Sequence, residues 1–181
     1  MHPHAVVRIP SLTLTKSKEL STICLLRMPL CSTITNTPGF YTPPPPQNLT
    51  DVVFTKNTQK MGVGLFGKRS FKVKEMIFSE KPLLVFPRGL PLFSPSGAKE
   101  TTERDNCFEE VLKLVLGGMT KEDADAFKSL SNCHQDTPLL YGISSTNAFT
   151  TSIEERNLEE GKFGYGAIGK LASRINHRYV V

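Results

Sequence analysis

The sequence predicts an α+β fold: short β-strands first, a helical insert over about residues 100–135, and an unstructured extension of residues 1–50 in front. Three observations carry this. Apolar residues alternate or cluster in short runs after Asp51, their spacing turns helical near Asn106, and a proline run separates all of this from a Ser/Thr-rich start. With 39% hydrophobic and 22% charged residues over 181 positions, the chain has the composition of one globular domain.

Residues 1–50 contain one acid, Glu19, against Arg8, Lys16, Lys18 and Arg27, and end in Pro43-Pro44-Pro45-Pro46. Such a stretch reads as a disordered tail leading into a stiff polyproline spacer. A hydroxyl-rich, acid-poor start also has the character of a mitochondrial transit peptide. The apolar piece Ile23-Cys24-Leu25-Leu26 is short and is interrupted by Arg27, which argues against a secretory signal. No run approaches the ~20 apolar residues that span a bilayer.

From Asp51 onward, Val52-Val53-Phe54 suits a strand, and Phe71 and Val73 alternate with Lys72 and Lys74 as a strand edge would. Met76-Ile77-Phe78 and Leu83-Leu84-Val85-Phe86 are further strand candidates, the second bounded by Pro82 and Pro87. Asn106 with Glu109 has the spacing of a capping box, followed by a stripe of Phe108, Val111, Leu112 and Val115 that stops at Gly117-Gly118. Thr120 with Asp123 starts a second helix with the stripe Ala124, Phe127, Leu130. Both helices are expected to pack on the sheet. Beyond them, Phe163-Gly164-Tyr165-Gly166-Ala167-Ile168-Gly169 reads as a strand held close to another backbone.

Charge and cysteine content narrow the partners. Residues 51–181 hold eighteen Lys and Arg against sixteen Asp and Glu, a balance that argues against nucleic acid as a partner. Cys24, Cys31, Cys107 and Cys133 are too scattered for a zinc module and suit thiols in a reducing compartment. His2, His4 and His134 have no companion at catalytic spacing, and Glu154 to Glu160 reads as a solvated face.

The stretch Gly62-Val63-Gly64-Leu65-Phe66-Gly67-Lys68-Arg69 passes for two nucleotide-binding motifs. It fits G-x-G-x-x-G, but a dinucleotide site needs a helix whose first turn faces the pyrophosphate, and residues 68–80 show no helical stripe. It nearly fits the triphosphate loop, but Arg69 stands where a magnesium-binding hydroxyl is required. A third reading uses the whole neighbourhood: Gly62-x-Gly64-Leu65-Phe66, then Arg69, Phe71, Lys74-Glu75, Ile77, Glu80 and Pro82-Leu83-Leu84. Further on come Thr146-Asn147-Ala148-Phe149, Tyr165-Gly166-Ala167-Ile168 and Ser173-Arg174-Ile175-Asn176-His177.

In this order, these segments resemble the front part of SET-domain protein-lysine methyltransferases, of the fungal-type and SMYD-like kind, from about Asp51 to His177. The resemblance implies a β-clip fold and S-adenosylmethionine as cofactor. By match, Gly62 and Gly64 line its methionine side, and Asn176 and His177 hydrogen-bond it. The implied partner is a protein substrate presenting a lysine, with no membrane involved.

The sequence departs from the family at two places. Val73-Lys74-Glu75 stands where the family has Lys-Gly-Glu, and Arg178-Tyr179-Val180-Val181 follows His177 in place of Ser-Cys-x-Pro-Asn. Tyr179 does not match the family's catalytic tyrosine, so no catalytic residue is assigned. The expectation is an incomplete SET domain, inactive as this chain, with weak or no cofactor binding. A non-catalytic protein-interaction module is the alternative, and nucleus and cytoplasm both remain open as compartments.

Overall fold

A computed structural model describes residues 4–9, 22–27, 49–59, 62–87, 101–152 and 164–175. Among the described residues, seven strands form two sheets: β1 (His4–Ile9), β2 (Thr22–Arg27), β3 (Val53–Thr58), β4 (Gly62–Gly67), β5 (Leu84–Pro87), β6 (Phe149–Ser152) and β7 (Gly164–Ile168). Three helices accompany them: α1 (Thr101–Gly117), α2 (Lys121–Lys128) and α3 (Leu139–Asn147). A helical turn, Leu49–Val52, leads into β3, and a 3-10 helix, Ala172–Arg174, follows β7. The α+β class is as expected from the sequence.

The larger sheet has the order β1-β2-β5-β7-β6. All its pairs are antiparallel except β2 with β5, which run parallel through Ile23↔Leu84 and Cys24↔Val85. β5 and β7 pair through Leu84↔Ile168 and Phe86↔Gly166. At Gly166 a Cβ would lie 2.8 Å from the Phe86 ring, so this strand does need glycine for close approach. One apolar core joins sheet residues Ile23, Leu84 and Ile168 to helix residues Leu112, Val115, Phe127 and Ile143. The helices therefore cover the sheet, an arrangement that hides both apolar surfaces at once.

Within the extension expected to be unstructured, residues 4–9 and 22–27 form β1 and β2, while residues 1–3, 10–21 and 28–48, with the proline run, lie outside the described residues. Thr22 to Leu26 are buried, and Thr22 Oγ1 donates to the carbonyl of Pro82 at 2.7 Å. A strand covered on both faces reads as a continuous apolar run rather than an alternating one. Ile23-Cys24-Leu25-Leu26 is such a run, and its brevity, taken to exclude a signal peptide, is the length of a buried strand.

Other local readings also shift. The alternation at Phe71–Lys74 and the run Met76-Ile77-Phe78 form no strand; a turn closes there instead, with Glu75 N donating to Lys72 O at 3.1 Å. Val73 is 92% exposed, so its alternation with lysines reports no buried face. α1 begins at Thr101, which places Asn106 inside the helix. Glu109 is a cap, but for another helix: its carboxylate accepts from Tyr141 N at 2.9 Å in the first turn of α3. The start of α2 is as read, with Thr120 as N-cap accepting from Asp123 N at 3.1 Å. α1 ends at Gly117, as its two glycines indicate. Among the described residues, no helix is long and apolar enough to cross a membrane.

Candidate cofactor-binding site

Glycine dictates the local form of β4. Gly62 has φ 68°, a left-handed conformation that strains any residue carrying a Cβ. The chain then runs antiparallel to β3, with Lys56↔Gly64 and Phe54↔Phe66 as partners. β4 has a strand neighbour on one side only among the described residues. Along it Gly62 is exposed and Gly64 is buried, and neither adds a side chain to the strand. Gly67 has a different purpose: a Cβ there would lie 2.6 Å from Phe71 Cε2, so the glycine admits that ring. No helix follows these glycines through Pro87, as the rejection of both nucleotide motifs requires.

The far motif is brought to the same place. β4 packs against the 3-10 helix Ala172–Arg174. Glu80 fastens that helix: its carboxylate accepts from Ala172 N at 2.6 Å and from Leu171 N at 2.9 Å. A negative group at exposed N–H groups of a helix start is favourable for the reasons that govern capping. Gly169 packs directly on the Glu80 carboxylate, where no Cβ could stand. Ser173 adds a second tie, accepting from Gly169 N and donating to Asn147 O, both at 3.0 Å. Arg174 reaches Ser129 Oγ at 2.9 Å, and Lys170 pairs with Glu122 at 2.9 Å.

Thr146 and Asn147 hold the platform beneath. Asn147 Nδ2 donates to Ser131 O at 2.6 Å and to Ile143 O at 2.7 Å. Thr146 Oγ1 donates to Gly142 O at 2.8 Å and accepts from Cys133 N at 3.1 Å. These two residues therefore clamp α3 to the segment 131–133 rather than contact β4.

Of the four residues expected to bind cofactor, Gly62 and Gly64 lie on β4 as described. Asn176 and His177 lie outside the described residues. The chain is fixed up to Ile175, the residue just before them, with Ile175 N donating to Ala172 O at 2.9 Å. Glu80 and Ser173 were letters in a motif when read from sequence; geometry shows them as the groups that position the 3-10 helix. Among the described residues, no group of three or more His, Cys, Asp or Glu is placed to hold a metal ion.

The turn after β4 explains one departure from the family pattern. Lys74 has φ 68°, the one positive-φ non-glycine among the described residues. Glycine is the residue that adopts this conformation without strain. Lys74→Gly is therefore expected to raise stability by about 0.5–1 kcal/mol, read as a Tm increase of about 2–4 °C.

Beside it, Arg69 Nη2 contacts Glu75 Oε1 at 2.5 Å while its guanidinium lies 4.6 Å from the centre of the Phe71 ring. The hydrogen bond from Arg69, helped by Lys72 N, holds the Glu75 carboxyl below the ordinary glutamate range. A lowered folded-state pKa means that the contribution of this pair to turn order is present above the unfolded value. It is lost as pH falls through the folded one. An NMR titration of the Glu75 carboxyl should thus give a midpoint below that of free glutamate, and Arg69→Gln should move it upward.

No protein-family model matches the chain, and neither a curated protein sequence nor a solved structure does.

Proposed function

We propose that this chain is the cofactor-binding front portion of a SET-domain protein, in the class of S-adenosylmethionine-dependent protein-lysine methyltransferases. One observation carries the reading: β4, with Gly62 and Gly64, packs against the 3-10 helix that leads into Asn176-His177. Segments far apart in sequence and similar to the two halves of one cofactor site thus meet in space. The left-handed Lys74, at a position where the family has glycine, supports the same reading.

In this reading the backbone of β4 at Gly62 and Gly64 lines the amino-acid end of the cofactor, and Asn176 and His177 hydrogen-bond it by match with the family's motif. Bound, the cofactor supplies the methyl group for a lysine amine of a protein substrate. Glu80 and Ser173 act as positioning residues: they fix the 3-10 helix against which β4 packs. The proposed role of the described segments is cofactor binding, and no catalytic residue is assigned.

Calorimetric titration with S-adenosylmethionine tests this. Weak binding, with Kd between about 0.1 and 1 mM, is expected, corresponding to about 4–5.5 kcal/mol. Gly64→Val should abolish it without unfolding the larger sheet. Low-micromolar affinity would contradict the expectation that the cofactor site is incomplete. A folded chain that binds nothing at millimolar cofactor would overturn the site and favour a non-catalytic interaction module.

A further inference from the structure

The net charge of +5 is concentrated in one place. Residues 52–74 hold six Lys and Arg (Lys56, Lys60, Lys68, Arg69, Lys72, Lys74) and no acid, leaving sixteen against seventeen elsewhere. The whole positive excess thus belongs to the β3–β4 hairpin and the loop that leaves it. The even balance from Asp51 onward hides this, because acids later in the chain offset it in the sum; in space Glu75 pairs with Arg69, while Lys56, Lys68 and Lys72 stand exposed.

The same hairpin exposes aromatic rings. Phe54 and Phe66 are partners across the ribbon, with ring centroids 5.6 Å apart and planes at 26°. They stay 41% and 38% exposed. Directly opposed residues share a face of the ribbon, and so do residues two apart. Lys56 follows Phe54 by two, and Lys68 follows Phe66 by two, with Lys68 N donating to Val52 O at 2.9 Å to prolong the ladder. The face therefore runs from Lys56 to the aromatic pair in a step of about 7 Å along the strand, and Lys68 stands exposed just past the end of β4. Lys72 stands exposed on the turn beyond.

We propose that this ribbon face binds single-stranded nucleic acid, with bases stacking on Phe54 and Phe66 and phosphates on Lys56, Lys68 and Lys72. Aromatic platforms between basic side chains bind single strands because unpaired bases offer a free π-face, whereas a duplex presents mainly its phosphates. The contacts read base faces and phosphates, not the sugar, so ribose and deoxyribose strands are bound alike. The inference uses side chains of the hairpin and does not depend on the backbone site proposed for the cofactor. An anionic bilayer is the competing occupant, since Val73 and Met76 are also exposed near Lys72. The aromatic pair beside Lys56 on one face favours bases.

Fluorescence anisotropy with labelled oligo(dT) and oligo(U) and the full chain tests the proposal. Both should bind at low salt, more tightly than a duplex of equal length, with a logarithmic salt slope of about −0.7 for each phosphate contacted. The triple variant Lys56→Gln, Lys68→Gln, Lys72→Gln alters exposed positions only and should weaken binding at least tenfold. Phe54→Leu should weaken it severalfold with the salt slope unchanged, the signature of lost stacking. Failure to bind, binding indifferent to the triple variant, or equal affinity for duplex would each overturn it. Capture by phosphatidylserine vesicles without affinity for oligonucleotides would do so too, and would assign the face to a membrane surface.

Discussion

Replacing Glu80 by alanine is expected to lower stability by about 3 kcal/mol or more, because two backbone amides lose a charged acceptor together. Leu171 N and Ala172 N both donate to this carboxylate, and both are partly buried. Against a typical total of about 5–15 kcal/mol, this is a large share. Glu80→Gln keeps the shape and one acceptor oxygen, so about half the loss is expected. Gly169→Ala should be as damaging as the alanine variant, because the new Cβ would occupy the place of the Glu80 carboxylate. The two effects share one cause and should not add: with Glu80 already alanine, Gly169→Ala should cost little more. Urea unfolding of the four proteins gives this cycle directly. Additive losses would show that Gly169 answers to something other than Glu80.

Phe127→Ala should lower stability by about 3–5 kcal/mol, the range for deleting a buried aromatic ring from a packed core. Phe127 is fully buried, and it belongs to the cluster that joins α1 and α3 to β2, β5 and β7. Its loss leaves a cavity between helices and sheet. Leu139, on α3 but 59% exposed, is the control: alanine there should change stability by no more than about 0.5 kcal/mol. Thermal unfolding followed by far-UV circular dichroism separates the two. Equal effects would place the helices off the sheet and contradict the single core.

What could be read from sequence was what is local. The second helix announces itself through Thr120 and Asp123, whose bond spans three residues, and β5 through the prolines that bound it. β7 was legible because its glycines make sense only in a strand under close approach. What escaped depends on distant partners. β2 pairs in parallel with β5, and Thr22 bonds a carbonyl sixty positions away, so nothing in its neighbourhood separates it from a tail. α3 was passed over because Gly142, Ser144, Ser145 and Thr146 are weak helix formers. Glu109 caps it from α1 and the buried Leu140, Ile143 and Asn147 anchor it. Glu109 itself carried a true capping signal attached to the wrong helix. At the candidate site, Gly62 and Gly64 were visible as a glycine loop. The role of Glu80 was not, since a carboxylate serving amides 91 residues away leaves no periodic trace.

In the proposed reading, β4 and the segment after β7 form one site for S-adenosylmethionine. Two-dimensional amide NMR during a cofactor titration tests it most directly. The account predicts that resonances of Gly62–Gly67 and of Ala172–Ile175 shift together along one binding curve, while those of α2 stay in place. Shifts confined to one of the two segments, or none at millimolar cofactor with the spectrum otherwise folded, would contradict it.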